Sequence, residues 1–228
     1  RDYAVTGVQT CALPIYYNAY TEDLYSWDNG SSDADSNNAK LRINPNSFTD
    51  WIFKDQGQEN KIIDSFKKYT NSSLTPSINS DFNEVSFSYA RGNEKVVSNI
   101  KISKGEESNY IWCVFFAVLD EILIALEERK AEFNGTVDTS DLRYFFIDDP
   151  VSSLDDTHLI NLAVDLASLI KKSCDLNVRF IITTHNPLFF NVLHNELSRG
   201  NGEGYRSNTF KSSKFKKLED NTYVMEDL

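Results

Sequence analysis

The chain has few of the residues from which disulfide frameworks and thiolate metal sites are built. It contains three cysteines in 228 residues, Cys11, Cys113 and Cys174, and they lie far apart in the sequence. Disulfide-rich domains need many paired cysteines, and structural zinc sites need closely spaced cysteines or histidines. The sequence therefore argues against both, and we expect Cys113 and Cys174 to be buried free thiols in a reducing cytoplasm.

Long apolar runs and positive charge are also scarce. The most apolar helical pattern, which begins near Ser103, is interrupted by Asp120 and Glu121, so we expect no segment long enough to cross a membrane. There are 34 acidic residues against 23 basic ones, which gives a net charge of −11. Such an acidic body is a poor electrostatic match for a nucleic-acid backbone and argues against broad binding of RNA or DNA.

One basic cluster lies near the end of the sequence. Lysines alternate there with phenylalanines, and the residues are Phe210, Lys211, Lys214, Phe215, Lys216 and Lys217. Such a pattern can form a surface that stacks bases and binds phosphates. It is also typical of a solvated strand or linker, which the sequence favours.

Two apolar runs with a helical pattern between them predict a strand–helix–strand unit. The first run, 144–147, leads into Asp148 and Asp149, and the second, 178–184, leads into His185. Continuous apolar runs of this kind are typical of strands in a parallel sheet that helices cover. Ligands bind outside the carboxyl ends of such strands, so we expect the two acids and the histidine to meet there.

These side chains suit the chemistry of a nucleoside triphosphate. One carboxylate can hold Mg²⁺ directly or through water, and its neighbour can orient the water that attacks the γ-phosphate. We assign Asp148 to the metal and Asp149 to the base. Two acids after a strand, or one histidine after another, are common in proteins, so this interpretation depends on their joint order with a third element.

That third element is the segment 102–108, ISKGEES, which opens a long helix with apolar residues at three- and four-residue steps. Glu107 and Glu121 lie off the apolar stripe. The Ser103 hydroxyl, the backbone around Gly105 and the positive end of the helix dipole together favour a bound phosphate. Alternatively, Ser103 and Glu106 form a capping box that needs no ligand, and both interpretations can hold together.

These three elements resemble the motifs of ABC-type ATPases. ISKGEES is similar to the signature motif, FFIDDPVSSLDD to the Walker B strand and D-loop, and TTH at 183–185 to the switch-histidine loop. Within that superfamily, YNAYTEDLYSWDN at 17–29, NPNSFTDWI at 44–52 and the two longer motifs resemble the ATPase domain of PrrC-type anticodon nucleases. The resemblance covers about residues 16–197, and its motifs occur in the order of the family.

The resemblance implies an α/β fold of the P-loop NTPase class, an ABC-type ATPase head with a mainly parallel sheet flanked by helices. A β-hairpin formed by 82–89 and 96–102 is expected to lead into the signature. The implied ligands are Mg²⁺ and ATP or GTP. Asp148 would hold the metal, Asp149 would polarise the attacking water, and His185 would contact the γ-phosphate. The implied nucleotide-binding residues are Ser103, Lys104, Gly105, Glu106, Ser153 and Asp155.

In the family, these groups act across heads placed head to tail, and we expect a homodimer or a higher oligomer of such heads. Ser103 and Gly105 would then touch a nucleotide held by the partner subunit, and Ser153 and Asp155 would signal across the dimer. The sequence departs from the family at two of these positions, because Lys104 replaces a glycine and Asp149 replaces a glutamate. It also lacks the G-x-x-x-x-G-K-[ST] phosphate loop, so the fold is expected to be incomplete there.

Residues 1–15 differ from the rest of the chain. From Val5 onward they read as the translation of a common sequencing-library adapter, and we expect the natural sequence to begin near Tyr16. A genuine short leader is the alternative, although no charged segment precedes a long apolar core. The expected division is an adapter-derived segment at 1–15, a partial ATPase domain at 16–200 and the start of a following region at 201–228.

The expected function is that of a regulatory ATPase domain in an anticodon nuclease. The resemblance implies a cytoplasmic toxin of antiviral defence that cuts tRNA through a more C-terminal region and is tied to a type I restriction complex. One alternative is the ATPase head of a DNA-repair or chromosome-structure protein, although no heptad-patterned arms are present. Another is an interaction module that binds nucleotide without hydrolysing it.

Overall fold

The computed structural model describes residues 15–17, 24–28, 38–44, 47–70, 73–89, 96–132, 143–150, 156–199 and 210–228. Residues 1–14 lie outside this part, so the adapter interpretation stays a prediction. The described elements in chain order are β1 (Ile15–Tyr17), β2 (Tyr25–Asp28), β3 (Lys40–Ile43), α1 (Ser47–Asp50) continued by a π-helical turn (Trp51–Asp55), α2 (Glu59–Thr70), β4 (Leu74–Ile78), β5 (Glu84–Tyr89), α3 (Lys104–Glu132), β6 (Arg143–Asp148), α4 (Asp156–Lys172), β7 (Val178–Thr183), α5 (Pro187–Ser198), β8 (Ser213–Lys217) and β9 (Tyr223–Asp227).

Three strands form a parallel sheet in the order β1, β6, β7. The central strand β6 places Phe145 opposite Ile15 on one side and Phe180 on the other. Parallel neighbours need a crossover connection, and α4 provides it between β6 and β7. The strand–helix–strand unit that the sequence predicts is therefore present, and the fold is of the α/β class.

The two faces of this sheet are covered unequally. Phe145 and Ile147 are buried, and they share one hydrophobic core with the apolar residues of α4 and α5. On the opposite face Ile181 is 41% exposed and Thr183 is exposed as well. One face of the parallel sheet thus lies against helices, while the other, which we call the open face, is exposed at Ile181 and Thr183 and half-buried at Tyr144 and Phe146.

The predicted β-hairpin is part of a larger antiparallel sheet with the order β2, β3, β5, β4. Strand β5 pairs along most of its length with β4, which precedes it. The predicted return segment meets β5 more briefly: Val97 forms an antiparallel bridge with Tyr89, and the Ile100 N–H donates to the Phe87 carbonyl at 3.1 Å. The return of 96–102 beside β5 is therefore confirmed in part, as a bridge and not as a full strand. Pro76 made β4 difficult to recognise in the sequence. An edge strand tolerates a proline, because a position whose backbone faces away from the sheet needs no N–H donor.

Helix α3 runs through the hydrophobic core. By length and composition alone it could span a membrane, so our expectation that no segment is long enough was wrong. However, 61% of its most apolar stretch is buried inside the protein. Within this helix, the side chains of Trp112 and Phe115 are almost fully buried. A helix that is apolar on all sides is typical of the centre of a core, and packing accounts for its hydropathy.

The two cysteines of the described part differ in environment. Cys113 is buried in α3, where burial raises the pKa of its thiol, as the sequence predicts for an inert core residue. Cys174 is exposed in the turn after α4, so the expectation that it is buried was wrong. Its position just past the last helical residue removes it from the apolar face of α4.

Tyr110 provides a test of the core. Its ring is fully buried and meets Phe87 edge-on at 5.6 Å, but its hydroxyl has no hydrogen-bond partner among the described residues. Because an unsatisfied buried hydroxyl is unfavourable, Tyr110→Phe should raise the free energy of unfolding in urea by about 1 kcal/mol. Tyr69→Phe is the matched control, since the Tyr69 hydroxyl donates to Asp165 at 2.6 Å and its loss should destabilise. Equal destabilisation by both changes would contradict this account.

Candidate nucleotide-binding site

The two acids lie at the carboxyl end of the central strand, where β6 and β7 are in register. Asp148 is opposite Thr183, and the Thr183 hydroxyl donates to its carboxylate. Asp149 follows with φ at 48°, a left-handed conformation that aspartate tolerates better than most residues, and its N–H donates to the Thr183 carbonyl at 2.8 Å. This turn ends the strand and directs the Asp149 carboxylate toward the segment that follows β7.

The structure brings Asp149 and His185 into direct contact. His185 Nδ1 lies 2.6 Å from Asp149 Oδ2. The other carboxylate oxygen accepts from the Thr184 hydroxyl at 3.1 Å and from the His185 N–H at 3.4 Å. Both oxygens of Asp149 are therefore engaged by one short loop. A proton on Nδ1 leaves Nε2 of a neutral imidazole as the acceptor, and the His185 side chain is 77% exposed.

The loop itself is fixed by the start of α5. Asn186 caps this helix, and its side chain accepts from the N–H groups of Leu188 and Phe189 at 2.9 and 3.0 Å. The Asn186 N–H donates in turn to the Thr184 hydroxyl at 3.0 Å. Sequence reasoning missed Thr184 and Asn186 as supports of the site. The signal was present, because an asparagine followed by a proline is a common start of a helix.

Asp148 is exposed and fits the way proteins bind Mg²⁺. Magnesium sites that hold nucleotides use one or two carboxylates, and the phosphates and water complete the coordination. In the described part of the chain, no group of three or more histidines, cysteines or acids comes together as a self-sufficient metal cage. A cation completed by a substrate therefore fits the available donors better than a structural metal.

The Ser103 turn forms the predicted capping box. The Ser103 N–H and hydroxyl both donate to Glu106 Oε2 at 2.8 Å, and the Glu106 N–H donates back to the Ser103 hydroxyl at 3.3 Å. Gly105 lies in the first turn of α3 between them. Among the described residues, this turn and Asp149 have different hydrogen-bond partners, so they form two distinct groups of contacts.

Two residues at the start of α3, Lys104 and Glu107, pair with each other. Lys104 is not an open charge at the turn, because its ammonium lies 2.9 Å from Glu107 Oε1. Glu107, which the helical pattern places off the apolar stripe, is in fact 6% exposed. Ser153 and Asp155 lie outside the described residues, and their roles stay predictions.

The contact between Asp149 and His185 can be tested in solution. Asp149→Asn removes the negative charge that holds Nδ1, so the ¹⁵N chemical shifts of the imidazole should change toward a mixture of tautomers. Thr183→Val is the matched control, since its hydroxyl contacts Asp148, and it should leave the His185 signals in place. Unchanged His185 shifts in Asp149→Asn would show that the pair does not exist in solution.

Two solved structures of SMC ATPases align with most of the chain. One, from work on ATP-driven dimerization and DNA-stimulated activation of SMC ATPases, covers 77% of this chain and 88% of its own, at 14% identity and a TM-score of 0.39. An Smc head domain bound to the C-terminal domain of ScpA from Pyrococcus furiosus covers 80% of this chain and 37% of its own, at 14% identity and a TM-score of 0.42. Both superpositions are partial, so the fold class rests on the strand order described above.

The sequence comparison is more informative. No protein-family model matches the chain. A curated anticodon nuclease from Escherichia coli is 51% identical over 188 residues, which cover 81% of this chain and 46% of the relative. The chain thus spans just under half the length of that relative. Over most of its length, the chain is therefore similar to part of an anticodon nuclease.

Proposed function

We propose that this chain is the regulatory ATPase portion of an anticodon nuclease, which binds and hydrolyses ATP or GTP and thereby controls the cleavage of tRNA. The observation that supports this most directly is the paired Asp149 and His185 beside Asp148 at the carboxyl edge of a parallel sheet. The 51% identity with an anticodon nuclease supports the link to tRNA.

The contacts favour different roles for the carboxylates of Asp148 and Asp149. Asp148, with the Thr183 hydroxyl beside it, would hold Mg²⁺, which when bound neutralises charge on the phosphates. Asp149 is occupied on both oxygens, so we propose that it orients His185 rather than acting alone as the base. The exposed Nε2 of His185 then faces the attacking water or the γ-phosphate. This arrangement compensates for an aspartate where the family has the longer glutamate.

The separation of the two clusters supports a site shared between subunits. In the part of the chain that the structure describes, the Ser103 turn and the Asp149 pair have no partner in common. We propose that two heads associate head to tail, so that the Ser103 turn of one meets a nucleotide held beside Asp148 and Asp149 of the other. A closed two-fold arrangement of this kind contains two equivalent composite sites. Further partners, including a type I restriction complex, rest on the family resemblance alone.

The open face of the parallel sheet fits the absence of a phosphate loop from the sequence. Parallel sheets are covered by helices on both faces, yet Ile181 is 41% exposed here. We propose that a segment carrying the phosphate loop packs on this face in the full-length protein. Such a segment would bring the phosphates to the same edge as Asp148.

A mixing experiment tests the shared site. In full-length protein that includes a phosphate loop, Ser103→Arg and Asp149→Asn should each lower ATP hydrolysis by about 10²-fold or more when assayed alone. When the two variants are mixed and re-associated, half of the dimers are mixed, and each contains one intact composite site. Hydrolysis should then recover to about a quarter of the wild-type rate.

The self-mixed variants are the control for that experiment, since neither can form an intact site. Recovery only in the cross-mixture supports the head-to-tail arrangement. Two inactive variants that remain inactive together would show that both residues serve a site within one chain. Full hydrolysis by Asp149→Asn alone would instead favour an interaction module that does not depend on this carboxylate.

The covering of the open face can be tested by thiol labelling. Ile181→Cys should react readily with a maleimide in the 228-residue chain, because the side chain is accessible. In a longer protein with the phosphate loop, its labelling should slow by about tenfold or more, as burial protects a thiol. The native Cys174, which is exposed in the 228-residue chain, serves as the internal reference in both proteins. Equal labelling of Ile181→Cys in the two proteins would contradict the proposal.

A further inference from the structure

Glu107 is a buried carboxylate with a partner on each oxygen. Its side chain is 8% exposed, and Oε1 lies 2.9 Å from the Lys104 ammonium. The Trp27 indole N–H donates to Oε2 at 2.8 Å. A buried charge without partners costs several kcal/mol, so this glutamate depends on both contacts. We call Trp27, Lys104 and Glu107 the Glu107 clasp.

The clasp joins two separate parts of the fold. Trp27 lies in β2 at the edge of the antiparallel sheet, and its ring packs 6.2 Å from that of Phe87. Lys104 is the first residue of α3 and directly follows Ser103 in the candidate phosphate-binding turn. A second cation, Lys101, has its ammonium 5.7 Å from the centre of the Trp27 ring. The Trp27 indole is therefore in direct contact with charged groups of this turn, Lys101 and Glu107.

The charges of the turn are balanced before any ligand arrives. Lys101 and Lys104 are offset by Glu106 and Glu107 within seven consecutive positions. The Lys104 side chain is 59% exposed although its carboxylate partner is buried. Its ammonium can thus turn toward an anion outside, while Glu107 remains bound to Trp27. A triphosphate carries more negative charge than one carboxylate and competes for the same ammonium.

We propose that Glu107 is a positioning residue for the signature turn, which restrains Lys104 until the phosphates of a nucleotide on the partner head draw it away. This inference rests on the proposed function, because it assumes that the Ser103 turn meets a nucleotide. It explains why a lysine occupies a position that is glycine in the wider family. It also connects an occupied site to the antiparallel sheet, because Trp27 of that sheet donates to Glu107.

The experiment uses full-length protein and measures the ATP concentration that gives half-maximal association of heads by sedimentation. Glu107→Gln keeps an acceptor for Trp27 but weakens the hold on Lys104, so half-maximal association should need about three- to fivefold less ATP. Lys104→Gln removes the responding charge and should need about three- to fivefold more ATP. In Lys104→Gln/Glu107→Gln, the second change should have no further effect on the midpoint.

Tryptophan fluorescence provides a readout that does not depend on hydrolysis. Wild-type protein should change its emission when ATP associates the heads, and this change should disappear in Trp27→Phe. In Glu107→Gln, a smaller change is expected because Lys104 is already released. Urea unfolding of each variant establishes that the fold is intact before the comparison is made.

The possible outcomes separate this inference from the proposed function. If wild-type heads do not associate with ATP at all, the shared nucleotide site fails and the clasp proposal fails with it. If they associate but Glu107→Gln has the wild-type midpoint, or shifts it equally with and without Lys104, only the clasp proposal is overturned. Equal and additive shifts would mean that Glu107 merely supports the fold.

Discussion

The register between β6 and β7 is the interaction on which the rest of the site depends. Six consecutive pairs, from Arg143 with Val178 to Asp148 with Thr183, place the ends of both strands at the same level. A slip by one residue would reverse the faces of all side chains in the shifted strand. Phe145 and Ile147 would then leave the core, so burial of these rings and branched chains fixes the register. The proximity of Asp149 to His185 follows from that packing.

The helix that crosses the core extends the same principle to the second cluster. Helix α3 is held by apolar contacts along most of its length, and Tyr110, Trp112 and Phe115 are buried near its start. A helix anchored in this way gives its first turn little freedom. The Ser103 capping box and the Glu107 clasp are therefore presented at a fixed place. Rigid support is what a phosphate-binding turn needs if it is to meet a partner with few rearrangements.

Sequence reasoning was most accurate where the signals are local. The helical pattern between the two apolar runs indicated α4, and the apolar runs themselves indicated β6 and β7. It failed for the antiparallel sheet, because β2 and β3 are four residues long and β4 contains a proline. Strands of that length acquire their identity from their neighbours. The same limit applies to Glu107, since a glutamate is solvated by default and only packing against Trp27 makes it a buried one.

The amino-acid sequence by itself determined the order of the chemical groups, the strand–helix–strand unit and the resemblance to anticodon nucleases, because these are written in local spacing and residue type. Only the tertiary structure decided which groups meet. In the folded chain, His185 and Thr184 contact the two oxygens of Asp149, and Lys104 forms an ion pair with Glu107. The physical reason is that a hydrogen bond acts over about 3 Å, so residues far apart in the chain interact only after the core has set the strands and helices in place.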